Sequence, residues 1–279
     1  MACCPTSSST ELDVRKTYKL FVNGEFVRSE SGRAYRPDGK VNVPRGSRKD
    51  LRDAVRASRT AFPGWAGRTA MNRGQILYRA AEMLDGRAAQ FVQLLGGGAR
   101  ARRELDQAVE TLVWYAGWTD KLSQVTGTVN PVAGPYFNFT IPEPTGVVAI
   151  IAPEEAPLSG LVRRLAPALC GGNVVVALAA ESQPLAALTL AEVLATSDVP
   201  AGVVNIISGQ RKELVPWLAS HMDINAIDTA GCSADEIKAI EESAAGNVKR
   251  VIKVTSDEQS PYLVAAFMEM KTVWHPIGV

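Results

Sequence analysis

Histidine is nearly absent from this chain: His221 and His275 are the only two in 279 residues. They lie far apart in the sequence, which leaves no basis for a multi-histidine metal site. Cysteine is also scarce. There are four, and the adjacent pair Cys3 and Cys4 belongs to no disulfide framework, so the expected setting is reducing and cytoplasmic. No apolar run approaches the roughly 18 residues needed to cross a bilayer, and no membrane span is expected. Neither sign of charge is in excess, with 30 Lys and Arg against 29 Asp and Glu. That balance argues against nucleic acid or an anionic membrane as the main partner, because both demand a surplus of cations. The five tryptophans are dispersed and build no stacking platform. The short run ARARRE at 99–104 reads as a solvated helix face, and zinc-type spacings, a P-loop and a Gly-x-Ser-x-Gly motif are all missing.

What remains is an ordinary globular composition, 46% apolar and 21% charged. The opening MACCPTSSST has neither a basic nor an apolar stretch of the signal-peptide kind and reads as a disordered tail. Residues 18–28 read as a hairpin, with Asn23-Gly24 at the tip, where a type I′ turn needs positive φ twice. A helix is expected after Ser47, capped by that side chain with Asp50 in the first turn; Leu51, Ala54, Val55, Ser58 and Phe62 form its apolar face. A second helix carries Ile76, Ala80, Met83 and Leu84, and a third runs from about Glu104 to Leu122, after a loop at Gly96-Gly97-Gly98.

From residue 147 onward strands and helices alternate. Apolar strands are expected at Val147–Ile151, Val174–Leu178, Val203–Ile207, Ile224–Ile227 and Val248–Val254. Helices fall between them at Leu158–Cys170, Pro184–Ala195, Arg211–Ala219 and Ser233–Ala245. Continuously apolar strands separated by helices imply a doubly wound parallel sheet covered on both faces, which places a ligand at the strands' carboxyl ends. Beyond it, Tyr262–Ala266 and Met270–Trp274 each read as a short strand, the last pairing outside the parallel sheet.

The stretches LFVNGEFV, VWYAGWTDKLSQVTG, GPYFNFTIPEPTGVVAIIAP, LAPALCGGNVVV, ESQPLAALTLAEVL, PAGVVNIISG and GNVKRV together resemble the aldehyde dehydrogenase family over nearly all of residues 18–255. The ending MEMKTVWHPIG resembles that family's terminal strand, and the whole looks most like the degenerate second module of the family-16 enzymes. The resemblance implies a Rossmann-like α/β cofactor domain with a small β oligomerisation element. It divides the chain into a tail (1–16), a hairpin and helical part (17–125), an oligomerisation hairpin (126–145), the parallel domain (146–256) and a terminal strand (257–279). A catalytic domain between the last two has no counterpart here.

Aldehyde oxidation needs a thiolate, oxyanion donors, a base and a hydride acceptor. The resemblance implies that none of the first three is present. Cys170 reads as core. Cys232 precedes a helix, where a thiol pKa falls, but it stands at a cofactor-phosphate position and not at the nucleophile's. Glu155 replaces the oxyanion-holding Asn, and an ionised carboxylate cannot donate. Glu154 and Glu155 are expected in solvent or at the following helix start. Val254 replaces the general base, with Glu258 nearby but out of register. The cofactor, NAD or NADP, would meet a reduced set: Glu181, Gly209 and Gly231 are retained and Cys232 takes the place of a phosphate-touching Ser, while Leu178 replaces a ribose-binding Lys and Glu236 a phosphate-loop Gly. Arg211 reads as a solvated helix-start residue that could pair with phosphate, and His221 as structural.

Three functional expectations follow. One is a catalytically inactive module acting by assembly, with itself or with aldehyde dehydrogenases, through the Thr126–Ile141 hairpin and the Met270–Trp274 strand. The alternatives are an NAD(P)-dependent oxidoreductase acting on aldehydes and a nucleotide-binding module without chemistry.

Overall fold

The computed structural model describes residues 16–253 and 258–278. The expected tail, the Val254 position and the end of the last parallel strand therefore lie outside the described residues, in whole or in large part. The hairpin forms as β1 (Leu20–Val22) and β2 (Glu25–Val27), and its tip residues Asn23 and Gly24 have φ of 54° and 77°. A two-stranded patch follows, β3 (Ala34–Tyr35) and β4 (Val43–Pro44). Helix α1 (Arg48–Ala66) begins at a capping box in which Ser47 and Asp50 satisfy each other's backbone N–H groups. Asp50 also accepts from Ser29 Oγ and Glu30 N, so one buried carboxylate ties the β2–β3 loop to the helix start.

Helices α2 (Ala70–Asp85), α3 (Ala88–Leu94), α4 (Gly98–Ala116) and α5 (Leu122–Thr126) come next. The third expected helix thus splits. Its main part starts directly on Gly98 and stops at Gly117, and the short α3 before it was not anticipated. Strands β5 (Thr128–Asn130) and β6 (Tyr136–Pro144) precede the alternating region. That region runs β7 (Val147–Ile151), α6 (Ser159–Cys170), β8 (Val174–Leu178), α7 (Pro184–Ala195), β9 (Val204–Ile207), α8 (Arg211–Ser220), β10 (Ala226–Asp228), α9 (Ala234–Ala244) and β11 (Arg250–Ile252).

The main sheet has the order β11-β10-β7-β8-β9-β1-β2. Its first five strands are parallel, while β1 runs antiparallel to β9 and β2 to β1. β7 and β8 are buried at every residue, as two-sided cover requires. From β7 the chain winds one way to β8 and β9, then returns to β10 on β7's other side. The topological switch point therefore lies between β7 and β10.

The tail departs from expectation at Tyr262–Ala266, which is helical: α10 (Pro261–Ala266). Ser260 caps it and Pro261 occupies its first turn, a helix-start signal that overrides the apolar run. Leu263, Val264 and Phe267 are buried at helical spacing. Strand β12 (Met268–Pro276) then pairs antiparallel with β6 over its whole length, from Met268 opposite Pro144 to Pro276 opposite Tyr136. With β5 they form a separate sheet of order β12-β6-β5. Buried Asn173 fastens this sheet to the parallel domain, accepting from Gly146 N and donating to the Phe267 carbonyl. Arg250 adds contacts to the Ala266 and Met268 carbonyls and an ion pair with Glu269.

Candidate functional site

The loops leaving β7, β8, β9 and β10 surround the crevice where a doubly wound sheet places its ligands. Arg211 opens α8 at the centre of that ring. Its side chain is only 13% exposed, contrary to the expectation of a solvated residue. The guanidinium pairs with Glu236 at 3.0 Å and Glu154 at 3.6 Å, and donates to the carbonyls of Ala152 and Gly231. Burial opposes its charge, but the Glu236 hydrogen bonds and the surrounding carboxylates outweigh that, and its pKa lies above the ordinary arginine value. Glu236 and Glu154 respond in the other direction. Burial works against each charge, yet hydrogen bonds from Arg211 and Ser233 in one case and from Ser182 and Glu181 N in the other hold both below the usual carboxylate range.

Each group kept from the expected cofactor set has a partner or a packing role within the protein. Glu181 accepts from the Arg211 backbone N–H at 2.8 Å, anchoring the start of α8. A Cβ on Gly231 would stand 2.3 Å from the Ile151 carbonyl oxygen, so this loop needs glycine to lie against β7. A Cβ on Gly209 would stand 2.7 Å from the Leu214 side chain and 3.2 Å from Gly46 N. Cys232 is half-buried, and desolvation pushes its thiol up to about 12, against the lowering that a helix start and Arg211 supply. Cys170 is buried in the core, where burial likewise pushes its thiol up to about 12.

Glu154 also departs from expectation. It crosses the crevice and accepts from Glu181 N, Ser182 N and Ser182 Oγ. The start of α6 is capped instead by Glu104, whose carboxylate accepts from Leu158 N and Ser159 N. That acid sits in the run read as a solvated basic cluster, and its target is far away in sequence. Glu155 is exposed, as expected. Nearby, Tyr35 buries a hydroxyl with no hydrogen-bond partner among the described residues, and burial followed by Glu181 and Glu154 raises its pKa.

Two further residues escaped the sequence reading. Arg164, on the apolar α6, and Asp228, at the end of β10, are both buried, and they face each other at 3.9 Å. The only signal was the Arg163-Arg164 pair inside an otherwise apolar helix pattern.

On the Arg211 side of the crevice the residues present do not fit a dinucleotide phosphate. Arg211 is already neutralised by carboxylates, Leu178 offers no cation, and Glu236 would face a phosphate with like charge. The His221 carbonyl accepts from Lys249 Nζ at 2.8 Å, one of three carbonyls at the end of α8 that this buried ammonium bridges, and His221 Nδ1 accepts from Asp223 N.

Comparison with known proteins places this geometry. The model of the aldehyde dehydrogenase family matches residues 35–273. Retinal dehydrogenase 2 of Homo sapiens is 35% identical over 261 residues, covering 88% of this chain and 49% of the relative. Aldehyde dehydrogenase, cytosolic 1, of Elephantulus edwardii is 34% identical over 258 residues, covering 87% and 50%. Among solved structures, the NAD+ complex of an aldehyde dehydrogenase from Bacillus cereus superposes with a TM-score of 0.78 at 29% identity, covering 88% of this chain and 52% of that one. The chain thus spans about half the length of the curated relatives it matches. With its mostly parallel sheet, its small β12-β6-β5 sheet and this match, the chain belongs to the aldehyde dehydrogenase family, as a partial module of it.

Proposed function

We propose that this chain is a catalytically inactive aldehyde-dehydrogenase-like module that works by assembly, through the β12-β6-β5 sheet. One observation carries the reading: β12 is a nine-residue strand with one edge unpaired among the described residues and apolar side chains in solvent. Trp274 is 59% exposed and Met270 47%. Across the pair, Trp274 meets Tyr136 edge to face, while Phe137 and Ile141 are also exposed on β6. A long unpaired edge flanked by aromatic surface is a template for strand addition. The partner is a second copy of the chain or an aldehyde dehydrogenase subunit carrying the matching sheet.

The crevice supports the non-catalytic half of the proposal. Neither described cysteine is placed to form a thiolate at neutral pH, with both thiols pushed up to about 12. Glu155 supplies no oxyanion donor.

Sedimentation of the purified chain across a concentration series tests the assembly half. A dimer or larger species is expected, converting to monomer in the Met270→Glu/Trp274→Glu double variant. A monodisperse monomer of the unaltered chain at high concentration overturns it. Reduced cofactor appearing from an aldehyde panel, and lost in Cys232→Ala, would overturn the claim of inactivity.

A further inference from the structure

The crevice is closed on the side of β8 and β9 by Arg211 but open at the switch point between β7 and β10. A cavity of about 320 Å³ lies there, at the lower end of the range for small-molecule sites. Ala156, Gly160 and Ile237 give it apolar walls, and Arg163, Arg164 and Lys253 bring cationic groups to it, Lys253 already paired with Glu241. Arg164 is the unusual member. Its side chain is 5% exposed, and its Nη1 has no hydrogen-bond partner among the described residues. The nearest counter-charge, Asp228 Oδ1, is 3.9 Å from Nε, beyond hydrogen-bond reach. Asp228 Oδ2 is likewise without a hydrogen-bond partner.

A buried guanidinium donor that meets no acceptor is costly, and an acceptor entering through the cavity removes that cost. A carboxylate matches the planar fork of a guanidinium with two parallel hydrogen bonds, as a phosphate also can. With Lys253 paired to Glu241, Asp228 behind the guanidinium and Glu155 at the lining offset the two arginines and disfavour a doubly charged ligand. The apolar walls suit a short hydrocarbon body. We propose that this cavity binds a small aliphatic monocarboxylate, with its carboxylate on Arg164 and its chain against Ala156, Gly160 and Ile237. The site is independent of assembly, since it shares no residue with the β12-β6-β5 sheet.

Calorimetry and thermal denaturation of the full chain, titrated with acetate, butyrate and hexanoate, test the proposal. At least one acid should bind saturably. The neutral isostere butyramide and inorganic phosphate should each bind roughly tenfold or more weakly. Arg164→Gln should weaken the acid by a similar factor. Ile237→Trp fills the cavity from a half-exposed position, leaves Arg164 in place, and should abolish binding with an unchanged circular-dichroism spectrum; it decides the matter if Arg164→Gln does not fold. Stabilisation no greater than that of sodium chloride at equal ionic strength, with every acid, would overturn the proposal. Equal binding by the unaltered chain and Ile237→Trp would overturn it as well.

Discussion

The crevice and the small sheet treat their functional groups in opposite ways. In the crevice, side chains that could meet a ligand have turned to one another: Arg211 to Glu154 and Glu236, and Glu181 to the Arg211 backbone. In the β12-β6-β5 sheet, side chains that could have packed inward face solvent, with Trp274, Tyr136 and Met270 among them. Around Arg211 the first region resolves its polar groups internally, as a role in stability requires. The other leaves apolar surface and strand edge unresolved, which is where binding free energy remains to be gained. The parallel domain thus reads as a mount for the small sheet, fastened through Asn173 and Arg250.

The contrast can be sharpened by substitutions that separate stability from assembly. The largest effect is expected for Arg211→Ala, which strands Glu154 and Glu236 without their cation. Allowing for the carboxylates' partial exposure, it should cost about 2–4 kcal/mol in urea denaturation and leave the oligomeric state unchanged. Gly231→Ala comes next, since its Cβ would clash with β7 backbone; a loss of about 2 kcal/mol is expected by the same measurement. Trp274→Glu should do the reverse of Arg211→Ala. It should move stability by less than about 1 kcal/mol and shift the sedimentation profile toward monomer.

The crevice itself can be probed by binding. Calorimetry with millimolar NAD and NADP should give no heat for the unaltered chain. Leu178→Lys with Glu236→Gly adds a cation and removes an anion, and weak binding should then become measurable. Saturable dinucleotide binding by the unaltered chain would erase the contrast between the two regions. A separate test lies in pH dependence. Burial raises the Asp228 carboxyl from its ordinary 3.8 to about 6. Between those values the folded chain holds a proton that the unfolded chain has released. Asp228 therefore makes stability fall as pH rises from about 4 to 6. Asp228→Asn should flatten that segment of the curve, measured by denaturation at each pH.

The fold was legible wherever the signal was local. The Asn23-Gly24 turn, the Ser47 cap and the helix α7 appear where the sequence places them. So do β7 and β8, whose five-residue apolar runs need two-sided cover. The helix α10 was misread because an apolar run of five residues suits either period, and the Ser260-Pro261 start signal was passed over. The site was far less legible. The burial of Arg211, the reach of Glu154 to Ser182 and the capping of α6 by Glu104 all join residues distant in sequence. No periodicity records such contacts. Arg164 and Asp228 are the same kind of case, two charges whose pairing exists only once β10 lies beside β7.

The Arg211 cluster also bears on how this crevice can change. One guanidinium and two paired carboxylates hold each other in place, so no member can be exchanged alone without exposing the others' charges in a half-buried setting. Losing Arg211 first strands both acids; losing Glu236 first leaves the cation to Glu154. Opening this side of the crevice to a phosphate would need coordinated substitutions through less stable intermediates. The cluster acts as a ratchet, allowing sequence drift around it while holding that side closed.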